Sequence, residues 1–362
     1  MAEKKESENA NNVIKAKLGE INLDKLTQKK VDLIERNLDE ITDGDRLILR
    51  KIVQQRALKI YWGTAITGRP HIAYFLPILK LRDFLEAGCE VTVMFADIHG
   101  FLDNLKAPIS KIESRYTYYK KLITTMLGRS LRNGTGLGGI RFIKGSDFEL
   151  TPKYTFDVYR MASYTTERDC KRAGADVVKQ SENALLSSML YPNMQALDEE
   201  YLGVDAQFGG SDQRKIFMHA KTFLPKLGYK KRIHLMNPMM PGLNSEKMSS
   251  SDEMSKIDML DTKQQISKKI GKCFCEEGNT DTGVLTIFEY ILFNYFGSVK
   301  VSGVEYSTFE MLKDEFGKKV IHPGDLKSAC SYYVNEMVAP VRDVMMEETE
   351  MIEAAYGKIS RQ

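Results

Sequence analysis

Three short stretches of the sequence carry residue types that suit the binding of a nucleotide. They are Tyr61 to Tyr74 (YWGTAITGRPHIAY), Gly209 to Gln213 (GGSDQ) and Lys247 to Ser251 (KMSSS). Glycines let backbone N–H groups approach a phosphate, the Asp212 carboxylate can accept hydrogen bonds from a ribose diol, and a lysine supplies positive charge to phosphates. Each stretch alone is more often an ordinary turn or a solvated loop. Their order and spacing together predict a nucleotide site.

The first stretch lies between a predicted strand and a predicted helix. The strand is the apolar run Leu58 to Tyr61, and Gly63 and Gly68 lie in the turn that follows it. After His71, apolar residues recur at helical spacing: Phe75, Ile78, Leu81 and Leu85. Pro77 falls inside this pattern and predicts a kink or a tighter first turn. A strand, a glycine-bearing turn and a helix start form a place where backbone N–H groups meet a phosphate, and His71 would project toward it.

Strands and helices alternate along the first 260 residues. The other predicted strands are 90–96, 140–143, 204–208 and 233–236, and the predicted helices include 108–127 and several within 152–202. This alternation predicts an α/β fold with a parallel, doubly wound sheet and right-handed crossovers. Ligands bind such sheets beyond the carboxyl ends of the strands, where Gly63 is expected.

The chain divides into three predicted parts. Residues 1–27 are rich in Lys, Glu and Asn and are expected to be a mobile extension. Residues 28–260 contain the sheet, and a shift to helical patterning near Asp261 marks the boundary of an α-helical C-terminal domain, 261–362. The remaining predicted helices are one carrying Val31, Ile34, Leu38 and Ile41, and those at 45–55, 266–274, 285–296 and 325–350.

The composition of the sequence bears on the cellular compartment in which the protein is expected. The sequence has no run of about 18 apolar residues, and its first residues, MAEKKESENANN, are polar, so neither a membrane span nor a secretory signal is expected. Its 5 cysteines are an odd number and form no CxxC pair, which fits neither a disulfide framework nor a zinc site. A cytoplasmic protein without a metal centre is therefore predicted.

Charge bears on partners only weakly. The net charge of +3 is compatible with a nucleic-acid partner without requiring one. Residues 213–245 contain 7 Lys or Arg and no Asp or Glu. Such a stretch is more often a solvated face, and a phosphate-contacting surface is the alternative.

Five longer segments carry a resemblance to a known family. They are LKIYWGTAITGRPHIAYF, VMFADIHGFLDN, MLYPNMQALDEEYLGVDAQFGGSDQRKIF, HLMNPMMPGLNSEKMSSS and VIHPGDLK. The HIAY run at His71 to Tyr74 resembles a degenerate HIGH motif, and KMSSS resembles the KMSKS motif, of class I aminoacyl-tRNA synthetases. Across residues 28–362 the chain looks like a tyrosyl-tRNA synthetase of the eukaryotic and archaeal, cytosolic type. It departs from the motifs at Tyr74, which replaces a histidine, and at Ser250, which replaces a lysine.

The resemblance implies an aminoacyl-tRNA synthetase with a Rossmann-like catalytic domain. L-tyrosine and ATP would form tyrosyl-adenylate and pyrophosphate, and the tyrosyl group would pass to the 3′-terminal ribose of tRNA(Tyr). Tyr61 and Asp198 would bind the phenolic hydroxyl, and Tyr191, Gln195 and Gln213 would surround the ammonium group. Tyr191, Gln195 and Asp198 are spaced by four and three and so share one helix face, which fits a pocket wall, although polar groups on one face are more often solvated.

The resemblance also implies an ATP site. Its residues would be Gly63, Gly68, His71, Gly210, Asp212, Met239, Met240, Lys247, Met248 and Ser249. His71 and Lys247 are the predicted catalytic residues: His71 would stabilise the α-phosphate and Lys247 the leaving pyrophosphate, so that catalysis is orientation plus charge stabilisation. ATP is expected as a substrate with Mg²⁺, and no tightly bound cofactor is expected. Ser250 leaves part of the phosphate charge to be met otherwise.

The helical region, 261–362, resembles the family's anticodon-binding domain. Asp325 would read the first anticodon base, and the alternative is that Asp325 caps the long final helix. Relatives carry a stacking aromatic where this chain has Lys300, so whether Phe296 or another residue stacks on the base is left open. The family also implies a homodimer.

Three other functions compete with the tyrosine enzyme. A tryptophanyl-tRNA synthetase has similar signatures, but Tyr61 with Asp198 suits a phenol hydroxyl better than an indole N–H. A paralogue that binds tRNA or another RNA without catalysis is disfavoured by the intact His71, Asp212 and Lys247. A small-molecule adenylyltransferase is disfavoured by the helical domain with its HPGDLK segment.

Overall fold

A six-stranded sheet lies at the centre of the protein. The computed structural model describes residues 23–103, 106–131, 136–178, 185–240, 242 and 256–358. The strands of this sheet are β1 Glu40–Ile41, β2 Lys59–Ala65, β3 Glu90–Ala96, β4 Ile140–Lys144, β5 Ala206–Gly210 and β6 Ile233–Asn237, in the spatial order β1-β6-β5-β2-β3-β4. All neighbours are parallel except β1, which pairs antiparallel with β6. The predicted doubly wound α/β fold is confirmed.

The strand order reverses between β2 and β5. From β2 the chain moves outward to β3 and β4, and from β5 it moves outward to β6 on the other side. Such a reversal leaves a crevice between the two strands at their carboxyl ends, where doubly wound proteins bind ligands. The sheet therefore prepares one binding place by its topology alone.

The strands β2 and β5 extend further than the sequence predicts. Parallel pairing with β3 continues through Gly63, which lies opposite Met94, so the prediction that Gly63 belongs to the turn is wrong. β5 begins at Ala206 and includes Gly209 and Gly210, because both continue the ladder with β6. By contrast, the continuous apolar run of β3 was predicted to the residue.

Helices cover both faces of the sheet and form the C-terminal region. In chain order they are α1 Lys25–Glu35, α2 Asp45–Gln55, α3 Phe75–Glu86, α4 Asp97–Leu102, α5 Ile112–Ser130, α6 Ser146–Glu149, α7 Pro152–Ala162, α8 Glu167–Gly174, α9 Leu186–Tyr201, α10 Arg214–Phe223, α11 Lys263–Lys272, α12 Gly283–Ile287, α13 Phe293–Phe296, α14 Phe309–Gly317, α15 Pro323–Met346 and α16 Thr349–Tyr356. A π-helical turn, Phe288–Leu292, joins α12 to α13. None of the helices in the described part of the chain has the length and apolarity that a membrane span needs.

The N-terminal elements differ from the prediction in two places. The helix α1 begins at Lys25, inside the predicted extension, because the Asp24 side chain accepts hydrogen bonds from two backbone N–H groups and caps it. Residues 1–22 lie outside the described residues. The predicted continuation of this helix to Ile41 is wrong, since Asn37 has φ 57° and Ile41 belongs to β1, opposite Leu235.

A short 3₁₀ turn, Ile72–Tyr74, leads from His71 into α3. Pro77 falls in the first turn of α3, where its missing N–H is tolerated. The 3₁₀ turn lies before Pro77 and the helix is α-helical through this residue, so the tighter turn occurs earlier in the chain than predicted.

The C-terminal region is less regular than predicted. The single helix expected at 325–350 is two helices, α15 and α16, and a hairpin of β7 Val299–Val301 and β8 Val304–Tyr306 was not predicted. One apolar cluster includes Ile78 of α3, Leu122 of α5, Val338 of α15 and Ile352 of α16. The C-terminal helices thus pack on the helices of the sheet region, and the domain boundary at 260/261 stays a prediction.

Candidate active site

The carboxyl ends of β2 and β5 open into a cavity of about 510 Å³. This volume lies in the usual range for small-molecule sites, and the cavity sits at the reversal of strand order. Most of the residues predicted to bind an amino acid or ATP line it: Tyr61, Gly63, His71, Tyr191, Gln195, Asp198, Gly210, Asp212, Gln213, Met239 and Met240. Three predicted residues, Lys247, Met248 and Ser249, lie outside the described residues.

One end of the cavity is closed by two buried polar side chains. Tyr61 of β2 and Asp198 of α9 are each only 1% exposed. Burial raises the pKa of the Asp198 carboxyl well above its ordinary value, and the neighbouring Glu149 carboxyl raises it further. The Tyr154 hydroxyl of α7 donates to Asp198 Oδ1 at 2.7 Å, so the carboxyl is held in one orientation. The arrangement suits a ligand that ends in a hydroxyl group.

Sequence reasoning missed a histidine at this end of the cavity. His99 of α4 lines the cavity, and its Nε2 lies 3.6 Å from Asp198 Oδ2. Its Nδ1 lies 3.2 Å from Oε1 of Glu149, and its ring meets the Tyr191 ring edge-on at 4.7 Å. The sequence did hold a signal for His99, because it follows directly on the carboxyl end of a buried strand. Glu149 and Tyr154 come from helices without such a signal.

A chain of polar side chains runs along the cavity wall. Gln195 Nε2 donates to Gln213 Oε1 at 3.0 Å, and Gln213 Nε2 donates to Asp212 Oδ1 at 3.2 Å. Tyr191 lies one helical turn before Gln195 and is buried, which raises the pKa of its hydroxyl. The predicted shared face of α9 is therefore a cavity face and not a solvated one.

Two glycines let the backbone approach this wall closely. A Cβ on Gly209 would lie 2.9 Å from Gln213 Cγ and 3.0 Å from Phe217 Cζ. A Cβ on Gly210 would lie 2.7 Å from Asp212 Oδ1 and 2.9 Å from Met239 Sδ. Any other residue would push these side chains from their positions.

His71 lies in the segment between β2 and α3 and lines the cavity. Burial, and then the Lys256 ammonium, lower the pKa of its imidazole to about 4, so His71 is neutral near pH 7. The backbone around it is fixed, since Ile72 N–H donates to Ile257 O at 2.9 Å. The ring packs edge-on against Tyr74 at 5.6 Å. A neutral imidazole in this place can donate a hydrogen bond without carrying charge.

Tyr74, where the chain departs from the HIGH motif, supports this arrangement. Its hydroxyl lies 3.2 Å from Thr64 Oγ1 and 3.4 Å from the Tyr119 hydroxyl. The structure does not bring Gly68 into the cavity wall: its carbonyl accepts hydrogen bonds from Tyr119 at 2.5 Å and from Tyr356 at 3.2 Å. Gly68 thus holds the turn in place through its carbonyl group and does not line the cavity.

Asp325 lies apart from the cavity wall, exposed in the first turn of α15. The alternative that it caps this helix is wrong, because His322 is the cap and its Nδ1 accepts from Gly324 N–H at 3.0 Å. Phe296 is half-buried and packs against Tyr333 at 5.1 Å, whereas Tyr332 is largely exposed.

One close group of metal-ligand residue types occurs in the described part of the chain. His99, Glu149 and Asp198 each offer a donor atom, and these atoms lie within 4.8 Å of one another. The two nitrogens of His99 face different carboxyl groups, and Tyr154 occupies one Asp198 oxygen. His99 is thus in close contact with two buried carboxyl groups, one near each ring nitrogen.

Comparison with known proteins identifies a family that the sequence matches. Residues 53–339 match the family described as tRNA synthetases class I (W and Y). The chain is 67% identical over 330 residues to a probable cytoplasmic tyrosine–tRNA ligase of Enterocytozoon bieneusi, covering 91% of this chain and 96% of that protein. It is 46% identical over 342 residues to the cytoplasmic tyrosine–tRNA ligase of Saccharomyces cerevisiae, covering 89% and 86%.

A solved structure agrees with these relatives. The crystal structure of tyrosyl-tRNA synthetase complexed with L-tyrosine from Archaeoglobus fulgidus matches the fold with a TM-score of 0.81 and 34% identity. The match covers 88% of this chain and 99% of the archaeal one.

Proposed function

Because the chain belongs to the class I tRNA synthetases of the tryptophan and tyrosine group, we propose that it is a tyrosine–tRNA ligase. It activates L-tyrosine with ATP to tyrosyl-adenylate and pyrophosphate, and then transfers the tyrosyl group to the 3′-terminal ribose of tRNA(Tyr). The observation that carries this function is the closed polar end of the cavity, where Tyr61 and Asp198 meet.

The polar end selects tyrosine by its hydroxyl. The phenol O–H of the substrate donates to the Asp198 carboxylate, and the Tyr61 hydroxyl is the second polar group beside the phenol oxygen. An amino acid without the hydroxyl would leave these buried groups without a partner, which costs binding energy. Tryptophan, the substrate of the other branch of the family, brings only an indole N–H on a larger ring. At the other end of the substrate, Tyr191, Gln195 and Gln213 accept the ammonium group.

ATP lies across the turn after β2 and the loop after β5. Asp212 holds the ribose, Met239 and Met240 border the adenine, and Gly210 lets the backbone approach. His71 donates a hydrogen bond to the α-phosphate as charge develops on it, and Lys247 serves the leaving pyrophosphate. The neutral state of His71 supports this role, because a neutral donor keeps its hydrogen-bond geometry without forming an ion pair with ATP before the reaction. Magnesium enters with ATP as part of the substrate.

The reaction needs no nucleophilic side chain. The tyrosine carboxylate attacks the α-phosphorus, and the ribose hydroxyl of the tRNA later attacks the tyrosyl carbonyl. The protein contributes orientation of the reacting groups and stabilisation of charge on the phosphates. These contributions explain why the cavity is lined by amides, hydroxyls and glycines.

The tRNA spans both parts of the chain in this proposal. Residues 28–260 form the catalytic domain and residues 261–362 the anticodon-binding domain, with exposed Asp325 at the first anticodon base. The lysines and arginines of 213–245 are candidates for the acceptor arm, in part because Lys230 and Lys231 are solvent-accessible. The relatives are named cytoplasmic enzymes, which supports the same compartment here.

The enzyme acts as a homodimer in this proposal. Large apolar side chains are exposed on α7, just before it, and on the start of α9, where α7 and α9 pack together: Leu150, Phe156, Tyr159, Leu186 and Leu190. We call these residues the α7–α9 patch. Exposed groups of this kind mark interaction surfaces in soluble proteins, and a second copy of the chain would cover them.

Amino-acid-dependent exchange of pyrophosphate into ATP tests the function. Each of the twenty amino acids is supplied in turn, and tyrosine alone is expected to support rapid exchange. Exchange with tryptophan would assign the chain to the other branch of the family, and no exchange with any amino acid would indicate a non-catalytic RNA-binding protein. Charging of tRNA(Tyr) in the same preparation separates a ligase from a small-molecule adenylyltransferase.

A further inference from the structure

The residue behind the tyrosine-binding end of the cavity is a buried glutamate. Glu149, the last residue of α6, does not line the cavity and is only 2% exposed. Its Oε1 lies 3.2 Å from His99 Nδ1, and His99 Nε2 lies 3.6 Å from Asp198 Oδ2. Glu149, His99 and Asp198 therefore form a compact buried cluster, with donor atoms within 4.8 Å of one another, that includes the carboxyl group facing the substrate.

This cluster has a single donor, the N–H of neutral His99, if both carboxyl groups are ionised. In the described part of the chain, both nitrogens of His99, both oxygens of Glu149 and Oδ2 of Asp198 are buried without a hydrogen-bond partner. Buried polar atoms without partners are costly, and two adjacent carboxylates also repel each other. One proton on a carboxyl group solves both problems, because it removes a charge and supplies a donor to the imidazole.

The surroundings decide which carboxyl group carries that proton. Asp198 accepts a hydrogen bond from Tyr154 at 2.7 Å, which stabilises its ionised form. Glu149 accepts none within the described residues and lies beside Asp97, whose Oδ1 accepts from Ser146 N–H at 2.8 Å. Burial raises the pKa of both carboxyl groups well above their ordinary values, and a neighbouring acid raises each further, Asp97 for Glu149 and Glu149 for Asp198. A proton on Glu149 removes the charge that raises the pKa of Asp198, and burial lowers the pKa of His99.

The backbone brings these acids together through one glycine. A Cβ on Gly145 would lie 2.9 Å from both Glu149 oxygens and 3.0 Å from Asp97 Oδ1. The charged and titratable groups that face Glu149 from the neighbouring elements are Asp97, His99, Tyr154, Asp198, Tyr61 and Tyr191. Among these groups His99 alone is basic, and its Nδ1 lies 3.2 Å from Glu149 Oε1.

We propose that Glu149 is a positioning residue for tyrosine recognition, which acts in its protonated form by donating to His99 Nδ1. This bond fixes the His99 tautomer that carries hydrogen on Nε2, and the positive end of that N–H dipole lies near Asp198 Oδ2, 3.6 Å from the nitrogen. Asp198 thereby stays an ionised acceptor for the phenolic hydroxyl of the substrate. The proposal rests on the proposed function, since it assumes that tyrosine fills the cavity.

A bound metal ion is the competing explanation for the same three residues. It would need one imidazole nitrogen and both carboxylates turned to a common point, with all acids ionised. One donor atom from each of the three residues lies within 4.8 Å of the other two, so a metal ion and a proton make different predictions for the same cluster. Metal content of the purified protein is therefore one readout of the test.

The test compares the wild-type enzyme with Glu149→Gln and Glu149→Leu. Glutamine is the neutral isostere that keeps an N–H donor for His99, whereas leucine removes the donor at similar volume. In tyrosine-dependent pyrophosphate exchange, Glu149→Gln should keep the tyrosine KM within about threefold, and Glu149→Leu should raise it about tenfold or more. The preference for tyrosine over phenylalanine should fall by a similar factor in the leucine variant alone, while the KM for ATP stays within about twofold in both.

Infrared spectroscopy reads the proton directly. The wild-type minus Glu149→Gln difference spectrum should contain the carbonyl stretch of a protonated carboxylic acid, sensitive to D₂O. A glutamine variant as impaired as the leucine variant, a carboxylate band in place of the acid band, or a stoichiometric metal ion lost in Glu149→Gln would each overturn the proposal. If the leucine variant fails to fold, the glutamine variant and the spectrum still decide. Absence of tyrosine-dependent exchange in the wild type would instead overturn the proposed function.

Discussion

Asp198 should determine tyrosine affinity with little effect on ATP. Its carboxylate is the buried acceptor for the phenol, and hydrogen bonds to charged groups contribute about 1.5–3 kcal/mol. We therefore expect Asp198→Ala to raise the tyrosine KM about 10- to 100-fold and to change the ATP KM less than threefold. Pyrophosphate exchange at varied tyrosine and ATP measures both constants.

A matched control for this variant is Asp314→Ala. Asp314 lies on the surface of α14, where it pairs with Lys318, a solvent-exposed contact of the kind that contributes little. Its removal should leave both constants unchanged. Equal losses in tyrosine and ATP affinity for Asp198→Ala would contradict its assigned place at the phenol.

His71 should act on the rate of adenylate formation rather than on tyrosine binding. Removing one well-placed donor to a developing charge slows such steps about 10²–10³-fold, so His71→Ala should do the same with tyrosine affinity nearly unchanged. Because burial holds the His71 pKa at about 4, the imidazole stays neutral at all pH values well above 4. The single-turnover rate should therefore show no acid limb from His71 between about pH 6 and 8. A protonation of His71 near pH 6.5, seen by NMR, would contradict this.

At the scale of elements, the end of β5 should tolerate no side chain at Gly209. An added methyl group meets Gln213 Cγ at 2.9 Å and Phe217 Cζ at 3.0 Å, and Phe217 is held by stacking on buried His234. Overpacking of this kind costs about 1–3 kcal/mol. Gly209→Ala should lower the free energy of unfolding by that amount and raise the tyrosine KM, because Gln213 is displaced.

The contrasting variant is Gly128→Ala in α5. Gly128 is exposed, and a Cβ there meets nothing within 4 Å. Alanine should stabilise the helix by about 0.5–1 kcal/mol and leave the kinetics as they are. Chemical denaturation of the two variants gives the comparison, and destabilisation by Gly128→Ala would show that helix propensity does not govern this position.

The sequence predicted the elements where the local pattern is strong. β3 was found to the residue because its apolar run is uninterrupted, and α2 was predicted with its observed bounds, 45–55, after Gly44. The hairpin β7–β8 was missed, although Ser302 and Gly303 both have positive φ and form a tight turn between alternating residues. Short strands of this length give too few residues for a period to be recognised.

Within the candidate site, the sequence predicted only the residues that belong to its motifs. Tyr61, His71 and the GGSDQ loop stand at strand ends, so their meeting follows from the sheet topology. The contact of Glu149 with His99 does not, because it depends on how α6 packs against α4, and side-chain packing between helices leaves no periodic signal in either segment. Such contacts are visible only once the chain is folded.

At the scale of the whole molecule, the last helix reaches the turn that carries His71. Tyr356 of α16 and Tyr119 of α5 both donate to the Gly68 carbonyl. The predicted C-terminal domain is thus in hydrogen-bond contact with the catalytic turn. This contact gives a physical route by which tRNA bound to the C-terminal helices and the ATP site could influence each other.

The α7–α9 patch should hold two copies of the chain together. Phe156 is 64% exposed on α7, and Tyr159 lies one turn further along the same face. A dimer would bury these side chains, whereas a carboxylate there would have to be desolvated against an apolar partner surface. We therefore expect the wild type to sediment as a dimer and Phe156→Asp as a monomer at micromolar concentration.

The control is Phe274→Asp. Phe274 is 65% exposed, but it follows α11 in the chain and does not belong to the α7–α9 patch. It should remain dimeric in the same sedimentation-velocity experiment. Both variants should keep the thermal stability of a folded subunit, because an exposed aromatic side chain contributes little to the core of its own chain. If Phe156→Asp sediments as a dimer, as the wild type is expected to do, the dimer forms through another surface. If the wild type itself is monomeric, the homodimer proposal fails.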